Sequence, residues 1–356
     1  MSKAGTPISP NNETKILVDY FSFTVSVEEF TGYKDHIDSD LFTDICERFH
    51  LNGLEFEERG GYHGYRKSFW YNGIIAAYDP PNYDTYQKTL HLNMSGSGCR
   101  TFETLNPWLE WSDWICKLEQ QYCTFHVSRL DIACDTYNLL DVPTIQKWTR
   151  KGWYKSQWHT YLIQEGTAEN SVVWGSAKSD FRLRIYDKTL ERRRVVPDPD
   201  QVPEGWVRAE YQLRNDAAAS FLRAWAQTGD ISAAYFGIMK NQLVYSKNYD
   251  GIHTDRVKVA SWWSKFLQHY EKIKMAYPGG VEYNLQQLEK YIFHQAASSI
   301  KTYLKYTQGD LTPLLDGIQG ARITDRQWEM LKVETINRAN RIKKNLEIQE
   351  QFDRIS

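Results

Sequence analysis

Apolar and polar residues alternate along the first two-thirds of the chain in the way that is typical of β-strands. Residues 15–24 are rich in β-forming side chains, and Asn72-Gly73 between two apolar runs predicts a tight hairpin. The same pattern predicts further strands at 88–96, 125–135, 158–165, 170–176, 181–188 and 206–216. Short helices are predicted between the strands, at 38–50, from Asn106-Pro107 onward, and at 141–152.

The pattern changes after about residue 216, where helical periodicity takes over. It covers 216–240, 257–276, 282–307 and 324–350, with breaks at 277–280 and in a loop near 308–321. We therefore predict an α+β fold with an antiparallel sheet and short helices packed on one face, followed by a mainly helical C-terminal region. The expected domains are a disordered lead (1–14), an α+β domain (15–240) and a helical region (241–356).

The polar faces of four predicted strands have an unusual composition. With a period of two, each of these strands has an apolar face and a face that carries arginine, carboxylate, histidine or tyrosine. The polar positions are His91, Asn93 and Ser95; Arg129 and Asp131; Arg182, Arg184, Tyr186 and Lys188; and Arg208, Glu210, Gln212 and Arg214. An ordinary solvated face explains the alternation. It does not explain so many arginines beside carboxylates, which favours a functional face.

Composition and charge narrow the class of protein. The 356 residues carry a net charge of −2, but the segment 178–194 has seven basic and three acidic residues. The five cysteines are odd in number and form no CxxC pair, which argues against disulfides and zinc clusters and for a reducing cytoplasm. There is no secretory signal and no apolar run of about 18 residues, so we expect no membrane span.

The residues of this face suit the breaking of a DNA phosphodiester bond. Asp131, Glu210 and His91 offer oxygen and nitrogen ligands for Mg²⁺ or Mn²⁺. Cationic side chains that can hold phosphates are Arg129, Arg182, Arg184, Lys188, Arg192, Arg193 and Arg208. Tyr186 is the candidate nucleophile, and we expect Arg184 and Lys188 beside it to favour the phenolate. Attack by tyrosine would conserve bond energy in a phosphotyrosine ester, which suits nicking and rejoining.

Segment 171–192 resembles the signature of the replication initiation factor family, which includes rolling-circle initiators of plasmids and phages and some conjugative relaxases. The resemblance lies in Gly175-Ser176, followed by Arg184-Ile185-Tyr186-Asp187-Lys188 and Glu191. Five other segments agree in the same order, namely 18–24, 90–100, 128–135, 207–214 and 261–267. The resemblance runs from about residue 15 to 270 and leaves the last helices uncovered.

The resemblance implies a nicking domain similar to those of Rep and two-histidine (HUH) nickases. Such an enzyme cuts one strand at an origin, stays on the 5′ phosphate and leaves a 3′ hydroxyl. Carried over, Tyr186 is the nucleophile, Asp131 and Glu210 are metal ligands, and Arg184 and Lys188 bind phosphate. His91 is a further candidate ligand, although Asn93 stands where HUH nickases have a second histidine.

The expected partners follow from the same resemblance. They are origin DNA (a single-stranded or hairpin nick site with flanking duplex), a host helicase and a second copy of the chain. Only one tyrosine stands in the motif, since Thr189 and Leu190 follow it, so termination would use a second subunit or a water. We expect a mobile-element protein in the cytoplasm of a bacterial host, with no membrane partner.

Two other functions fit the same residues. A DNA-binding regulator without catalysis would use the basic strands for phosphates and the carboxylates for structure. A metal-dependent nuclease using water would cut DNA without a protein adduct. A tyrosine recombinase fits less well, because its tyrosine follows a His-x-x-Arg helix near the C-terminus, whereas Tyr186 lies in a predicted strand near the middle.

Overall fold

A ten-stranded antiparallel sheet organises the first part of the chain in the computed structural model, which describes residues 14–26, 39–78, 89–247, 258–275, 291–323 and 331. The strands of this sheet are β1 (Thr14–Ser26), β2 (Glu57–Tyr62), β3 (Tyr65–Tyr71), β4 (Ile74–Tyr78), β5 (Thr89–Met94), β6 (His126–Tyr137), β8 (Tyr161–Gln164), β9 (Ser171–Trp174), β10 (Phe181–Asp187) and β11 (Trp206–Arg214). Their spatial order is β2-β3-β4-β5-β1-β6-β11-β10-β9-β8. The short strands β7 (Tyr154–Ser156) and β12 (Leu243–Tyr245) form a separate pair.

Helices accompany this sheet, and each of them except the helix that directly follows β10 contributes side chains to one apolar core. They are α1 (Ser39–Arg48), α2 (Gly96–Leu105), α3 (Trp111–Gln121), α4 (Val142–Arg150), α5 (Lys188–Arg193), α6 (Asn215–Thr228), α7 (Ile231–Gln242) and α8 (Ser261–Leu267). Leu130, Ile132, Leu183 and Ile185 of the sheet lie in one apolar core with Phe221 of α6. The predicted α+β fold, with an antiparallel sheet and helices on one face, is confirmed.

The hairpin predicted at Asn72-Gly73 joins β3 to β4. Both residues have positive φ (37° and 85°), as the two central residues of a type I′ turn require. A Cβ on Gly98 would lie 2.4 Å from the carbonyl oxygen of Gly73, so glycine at 98 lets the start of α2 contact this turn. The Asn72-Gly73 pair thus forms the predicted hairpin, and Gly98 allows a helix to pack closely against its turn.

The helix predicted to begin at Asn106-Pro107 is wrong, because Asn106 ends a helix instead. Its backbone N–H donates to the carbonyl of Phe102, and its side-chain amide donates to the carbonyl of His50 (2.9 Å). The helix that it ends, α2, begins at Gly96 and was not among the predicted helices, since Gly96 and Gly98 are poor helix formers. The next helix, α3, begins only at Trp111 and buries Trp111, Ile115 and Leu118 in the core, whereas Trp108 lies before it and is exposed.

The first compact unit runs from Met1 to Tyr277, beyond the boundary that we predicted after residue 240. The reason is that residues 258–275 bond to it: the indole N–H of Trp263 donates to Leu243 (3.0 Å), and the backbone N–H of Ile273 donates to Gly237 (2.9 Å). The predicted lead 1–14 lies outside the described residues except for Thr14, which begins β1.

The second unit, Pro278–Ser356, is described at residues 291–323 and 331. It has a π-helical turn (Tyr291–Ala296) followed by α9 (Ala297–Tyr306) and α10 (Thr312–Gln319). Helix α10 lies where we predicted a loop, with Pro313 in its first turn. The helix predicted at 324–350 lies outside the described residues, apart from Leu331. In the described part of the chain, no helix has the length and apolar character that a bilayer crossing requires.

Candidate functional site: a charged sheet face around Tyr186

Strands β10, β11 and β6 lie side by side, so the polar positions of the three strands form rows across the sheet. Adjacent rows are about 7 Å apart along the strands. The rows are Tyr186, Arg208 and Asp135; then Arg184, Glu210 and Ala133; then Arg182, Gln212 and Asp131. Tyr186, Arg184, Asp131 and Glu210 therefore share one face, as the alternation predicted.

Tyr186 is buried among charged side chains and not in the apolar core, and it is 3% exposed. Its hydroxyl donates to Oε2 of Glu210 (3.4 Å), and Nζ of Lys188 donates to the phenolic oxygen (3.2 Å). The guanidinium of Arg184 lies 4.1 Å from the ring centroid. Burial, and then the charge of Glu210, raise the pKa of Tyr186 above its usual value. Our expectation that neighbouring cations favour the phenolate is therefore wrong for the protein without DNA.

Local structure explains how Lys188 reaches this oxygen. Strand β10 ends at Asp187, whose side chain accepts a hydrogen bond from the backbone N–H of Leu190 and so caps α5. Lys188 is the first residue of that helix and not a strand residue as predicted. It also pairs with Glu191, three residues further along α5. The turn from strand to helix thus places an ammonium group beside the phenol.

Arg208 is enclosed by two carboxylates. Its guanidinium bonds to both oxygens of Asp135 (2.7 and 2.8 Å) and to Asp19 (2.9 Å). Its side chain is 8% exposed. We predicted that Arg208 binds DNA, but its donors are used within the protein, so it orders the face beside Tyr186 instead.

The other predicted phosphate-binding arginines divide into engaged and exposed groups. Arg129 makes a two-point ion pair with Asp131, and Arg184 pairs with Glu169 at 2.8 Å. Arg182 donates to the side-chain oxygen of Gln212 at 3.2 Å. Arg192 and Arg193 lie on α5, where Arg193 pairs with Glu204 and Arg192 is exposed.

Asp131 and Glu210 are diagonal neighbours on β6 and β11, since Asp131 is opposite Gln212. Burial raises the pKa of Asp131 to about 7; Arg129 opposes this rise, and the charges of Glu210 and Asp19 add to it. Burial and the charge of Asp19 likewise raise the pKa of Glu210. Burial is thus the main reason why both carboxyl groups hold a proton more tightly than in water, and their mutual repulsion and Asp19 add to it.

Asp19 is a site residue that the sequence reasoning missed. The pairing of β1 with β6 shifts register between Val18 and Tyr20, so Asp19 is the extra residue of a β-bulge. The bulge lets Asp19 contact Arg208 although Tyr20, its neighbour, also lies on the polar side. A strict period of two allots these two residues to opposite faces, and for that reason the pattern could not find Asp19.

His91 lies away from the two carboxylates. It is opposite Thr24 on β1, whereas Asp131 is opposite Tyr20 on the other side of that strand. Four residues along β1 and two strand spacings separate their Cα atoms by roughly 16 Å. The imidazole Nδ1 bonds to the hydroxyl of Thr24 (3.2 Å), and burial lowers the pKa of His91 to about 4. His91 does not join Asp131 and Glu210 in one ligand set.

Among the described residues, no three or more His, Cys, Asp or Glu side chains are grouped so that they could hold a metal ion. The predicted three-residue metal site is therefore not assembled. Asp131 and Glu210 remain close enough to act together. Mg²⁺ is commonly held in proteins by one or two carboxylates together with substrate phosphates and water. The five cysteines, all of which lie among the described residues, form no disulfide bond with one another.

The fold and this face define a class of α+β proteins with an antiparallel sheet and a tyrosine enclosed by arginines and carboxylates. The sequence model of the Replication initiation factor family matches residues 125–318, which include β6, β10 and β11. The chain belongs to this family.

Two known proteins resemble the chain over most of its length. It is 25% identical over 316 residues to the putative DNA relaxase NicK of Bacillus subtilis (strain 168), and the match covers 85% of this chain and 87% of the relative. A solved structure, the rolling-circle replication initiator protein from Geobacillus stearothermophilus, superposes with a TM-score of 0.59 at 22% identity. That comparison covers 74% of this chain and all of the other, and it supports the same fold.

Proposed function

We propose that this replication initiation factor nicks one strand of DNA by attack of the Tyr186 hydroxyl on a phosphodiester bond. The observation that carries the proposal is the contact of the phenol with Glu210 on one side and Lys188 on the other. A base and a cation at the same oxygen are what a tyrosine needs to become a nucleophile. Family membership and the named relatives support DNA as the substrate.

The side chains divide the work of the reaction as follows. Oη of Tyr186 forms the new bond to phosphorus while the bond to the 3′ oxygen breaks. The phenolic proton passes to Oε2 of Glu210, the carboxylate oxygen that accepts the hydrogen bond from the phenol. The 3′ oxygen takes a proton from solvent and leaves as a hydroxyl, and Glu210 returns the phenolic proton to solvent, so the protons balance. The protein keeps the 5′ phosphate as a phosphotyrosine ester, so the bond can be re-formed.

Cations over the ring have a second role in this proposal. Arg184 and Lys188 lie 4.1 and 5.3 Å from the centroid of Tyr186. Both are long side chains, and a DNA phosphate would draw them toward its non-bridging oxygens. Their transfer from the ring to the phosphate would place the phosphodiester next to the phenol.

Asp131 and Glu210 would hold a divalent cation, Mg²⁺ or Mn²⁺. The two carboxyl groups are diagonal neighbours on the same face of the sheet, and a cation between them would offset the cost of burying two acids side by side. When bound, the ion would polarise a non-bridging phosphate oxygen. Asp19 adds a third negative charge nearby, and it stays engaged with Arg208.

The test is covalent capture from single-stranded oligonucleotides with a randomised central segment. The protein is incubated with the library and Mn²⁺, and the DNA that resists SDS but is released by protease is sequenced. We expect an enriched sequence, a peptide adduct on Tyr186, and none with Tyr186→Phe. Tyr161→Phe is the matched control, because Tyr161 is 43% exposed on the distant strand β8.

Two results would contradict the proposal. Cutting without an adduct, unchanged in Tyr186→Phe, would mean a nuclease that uses water. Binding without cutting would mean a regulator. The helicase contact, the homodimer, termination by a second subunit and the cytoplasmic location stay predictions.

A further inference from the structure

A cavity of about 1000 Å³ opens next to Tyr186 in the first compact unit. It is bordered by Lys188 and Arg208, which are the residues beside the phenol, and it continues to Gly96 and Ser97 at the start of α2. Binding sites for small molecules and cofactors have volumes of roughly 300–1000 Å³. The cavity is thus large enough for a nucleotide, and the proposed reaction does not use it.

The floor of the cavity has an aromatic pair, Tyr137 of β6 and Trp206 of β11. The two residues are opposite each other in the sheet, in the row that follows Tyr186, Arg208 and Asp135. The aromatic pair is therefore about 7 Å from the Tyr186 row, on the side away from Glu210. Nucleotides joined by a phosphodiester can span such a step.

The rings of this pair are arranged as a platform. Their centroids are 5.7 Å apart, and their planes differ by 31°. Both side chains are partly exposed. Two partly exposed rings on one face of the sheet offer a base a surface on which it can stack.

Two cations at the cavity are available for phosphate. Lys15 and Arg192 both line it and are exposed, and neither has an ion-pair partner in the part of the chain that the structure describes. Arg208 differs from them, because Asp135 and Asp19 take up its donors. The cavity thus joins an aromatic floor to free positive charge at its rim.

From these features we propose that the cavity binds the nucleotide adjoining the scissile phosphate. Its base stacks on Tyr137 and Trp206, and its far phosphate lies at Lys15 and Arg192. The identification of the scissile phosphate rests on the proposed function. Stacking on aromatic side chains tolerates any base, so the cavity holds the strand in place without reading much sequence.

The experiment uses the full chain and two probes, deoxyadenosine 3′,5′-bisphosphate and its abasic analogue, deoxyribose 3′,5′-bisphosphate. The thirteen tryptophans are replaced by 5-fluorotryptophan, and the ¹⁹F resonance of Trp206 is assigned from Trp206→Phe. We expect the nucleotide to shift this resonance and to bind roughly 5- to 100-fold more tightly than the abasic probe. The resonance of Trp108, which is 73% exposed outside the cavity, should not move.

Variants separate the aromatic floor from the charged rim. Tyr137→Leu should remove most of the preference for the base-bearing probe. Lys15→Ser should weaken the binding of both probes by the same factor. Because Lys15 is exposed, this variant should fold, and it tests the cavity even if Tyr137→Leu does not fold. Trp108→Phe is the matched control and should leave both affinities unchanged.

The outcomes distinguish this cavity from the nicking reaction. Equal affinity for the two probes, or a nucleotide that leaves the Trp206 resonance unmoved, would overturn the nucleotide cavity even if Tyr186 forms its adduct. Suppose that the nucleotide shifts the Trp206 resonance, the abasic probe does not, and no adduct forms. The nucleotide cavity would then be supported, and only the role of Tyr186 as nucleophile would be contradicted.

Discussion

Two regions of the same sheet face surround their polar side chains with different partners, one with ion pairs and the other with aromatic rings. The charged region, on β6, β10 and β11, contains Tyr186, Arg208, Asp135, Glu210 and Asp131. The aromatic region, around β1 and β5, contains His91, Asn93, Tyr20, Tyr62 and Tyr65. In the charged region acids and arginines bond to one another. In the aromatic region a histidine is enclosed by tyrosine rings.

Tyr20 marks the border between the two regions. The guanidinium of Arg129 lies 4.2 Å from the centre of its ring, and its hydroxyl donates to the side chain of Asn93. Arg129 in turn holds Asp131. The rings of Tyr62 and Tyr65 lie 6.3 and 6.1 Å from His91 on the other side. The same strand face therefore changes from ionic to aromatic within a few residues.

The difference shows that sharing a face is not the same as sharing a site. All of these residues obey the period of two, but the order of the strands decides which of them meet. Strand β1 lies between β5 and β6, so His91 and Asp131 are kept apart by an entire strand. The chemistry of each titratable group then follows from its neighbours and its burial.

The largest expected effect comes from removing the central cation of the charged region. Arg208→Met would leave Asp135 buried and Asp19 half-buried without their countercharge, so we expect the free energy of unfolding to fall by about 3–5 kcal/mol. His91→Leu in the aromatic region should cost about 1 kcal/mol, because it removes one hydrogen bond from Thr24. Urea unfolding followed by circular dichroism measures both.

Arg193→Met is the matched control for Arg208→Met. Arg193 makes an exposed pair with Glu204, and such pairs contribute about 0–1 kcal/mol. Similar losses for Arg208→Met and Arg193→Met would show that the bonds of Arg208 are not what holds the charged region together.

The next effect, a difference of about 100-fold in the rate of adduct formation, should distinguish a substitution in the charged region from one in the aromatic region. Glu210→Gln removes the proposed proton acceptor and one of two candidate metal ligands, so adduct formation in a single turnover should slow by about 10²-fold or more. His91→Gln should leave that rate nearly unchanged, because His91 bonds to Thr24 and not to the carboxylates. Quenched-flow sampling of the adduct measures the rate.

An equal loss of rate in His91→Gln would reverse this comparison. It would mean that His91 reaches the carboxylates when DNA and metal are bound, as the three-residue metal site predicted from the sequence requires. Unfolding of each variant in urea shows whether a lost rate reflects lost structure.

The sequence alone predicted the sheet and its charged face because both depend on local patterns. The alternation in 181–188 and 206–214 placed Tyr186, Arg184 and Glu210 together correctly. The hairpin at Asn72-Gly73 was equally local, since two positive φ values suit these residue types.

The contacts between the site residues depend on the pairing of distant strands, which a local sequence pattern does not contain. Asp19 reaches the site through a bulge, which breaks the period of two. The separation of His91 from Asp131 depends on strand order. The capture of Arg208 by Asp135 depends on the register of β11 against β6. The fold class was thus predictable, but the partners of the arginines were not.

The smallest expected effect is a pair of opposite pH dependences, measured on the metal-free protein in EDTA. In the folded state Asp131 has a pKa of about 7, above the value near 3.9 of an unfolded chain. Its contribution to stability is therefore greatest below about pH 4 and is lost as the pH rises to about 7. His91 has a pKa of about 4, below the usual 6.5, so its contribution is lost as the pH falls from 6.5 to 4.

Urea unfolding at pH 4.5, 5.5 and 6.5 compares the wild type with Asp131→Asn and with His91→Leu. As the pH rises, the difference in the free energy of unfolding between the wild type and Asp131→Asn should change by about 1 kcal/mol per pH unit, to the disadvantage of the wild type. The difference between the wild type and His91→Leu should change by a similar amount in favour of the wild type. Trp108→Phe, an exposed substitution without a titratable group, is the control and should give a difference that does not change with pH. Slopes of the same sign would mean that the two regions do not differ in the way they bury charge, because a carboxyl group with a raised pKa and an imidazole with a lowered pKa give opposite slopes.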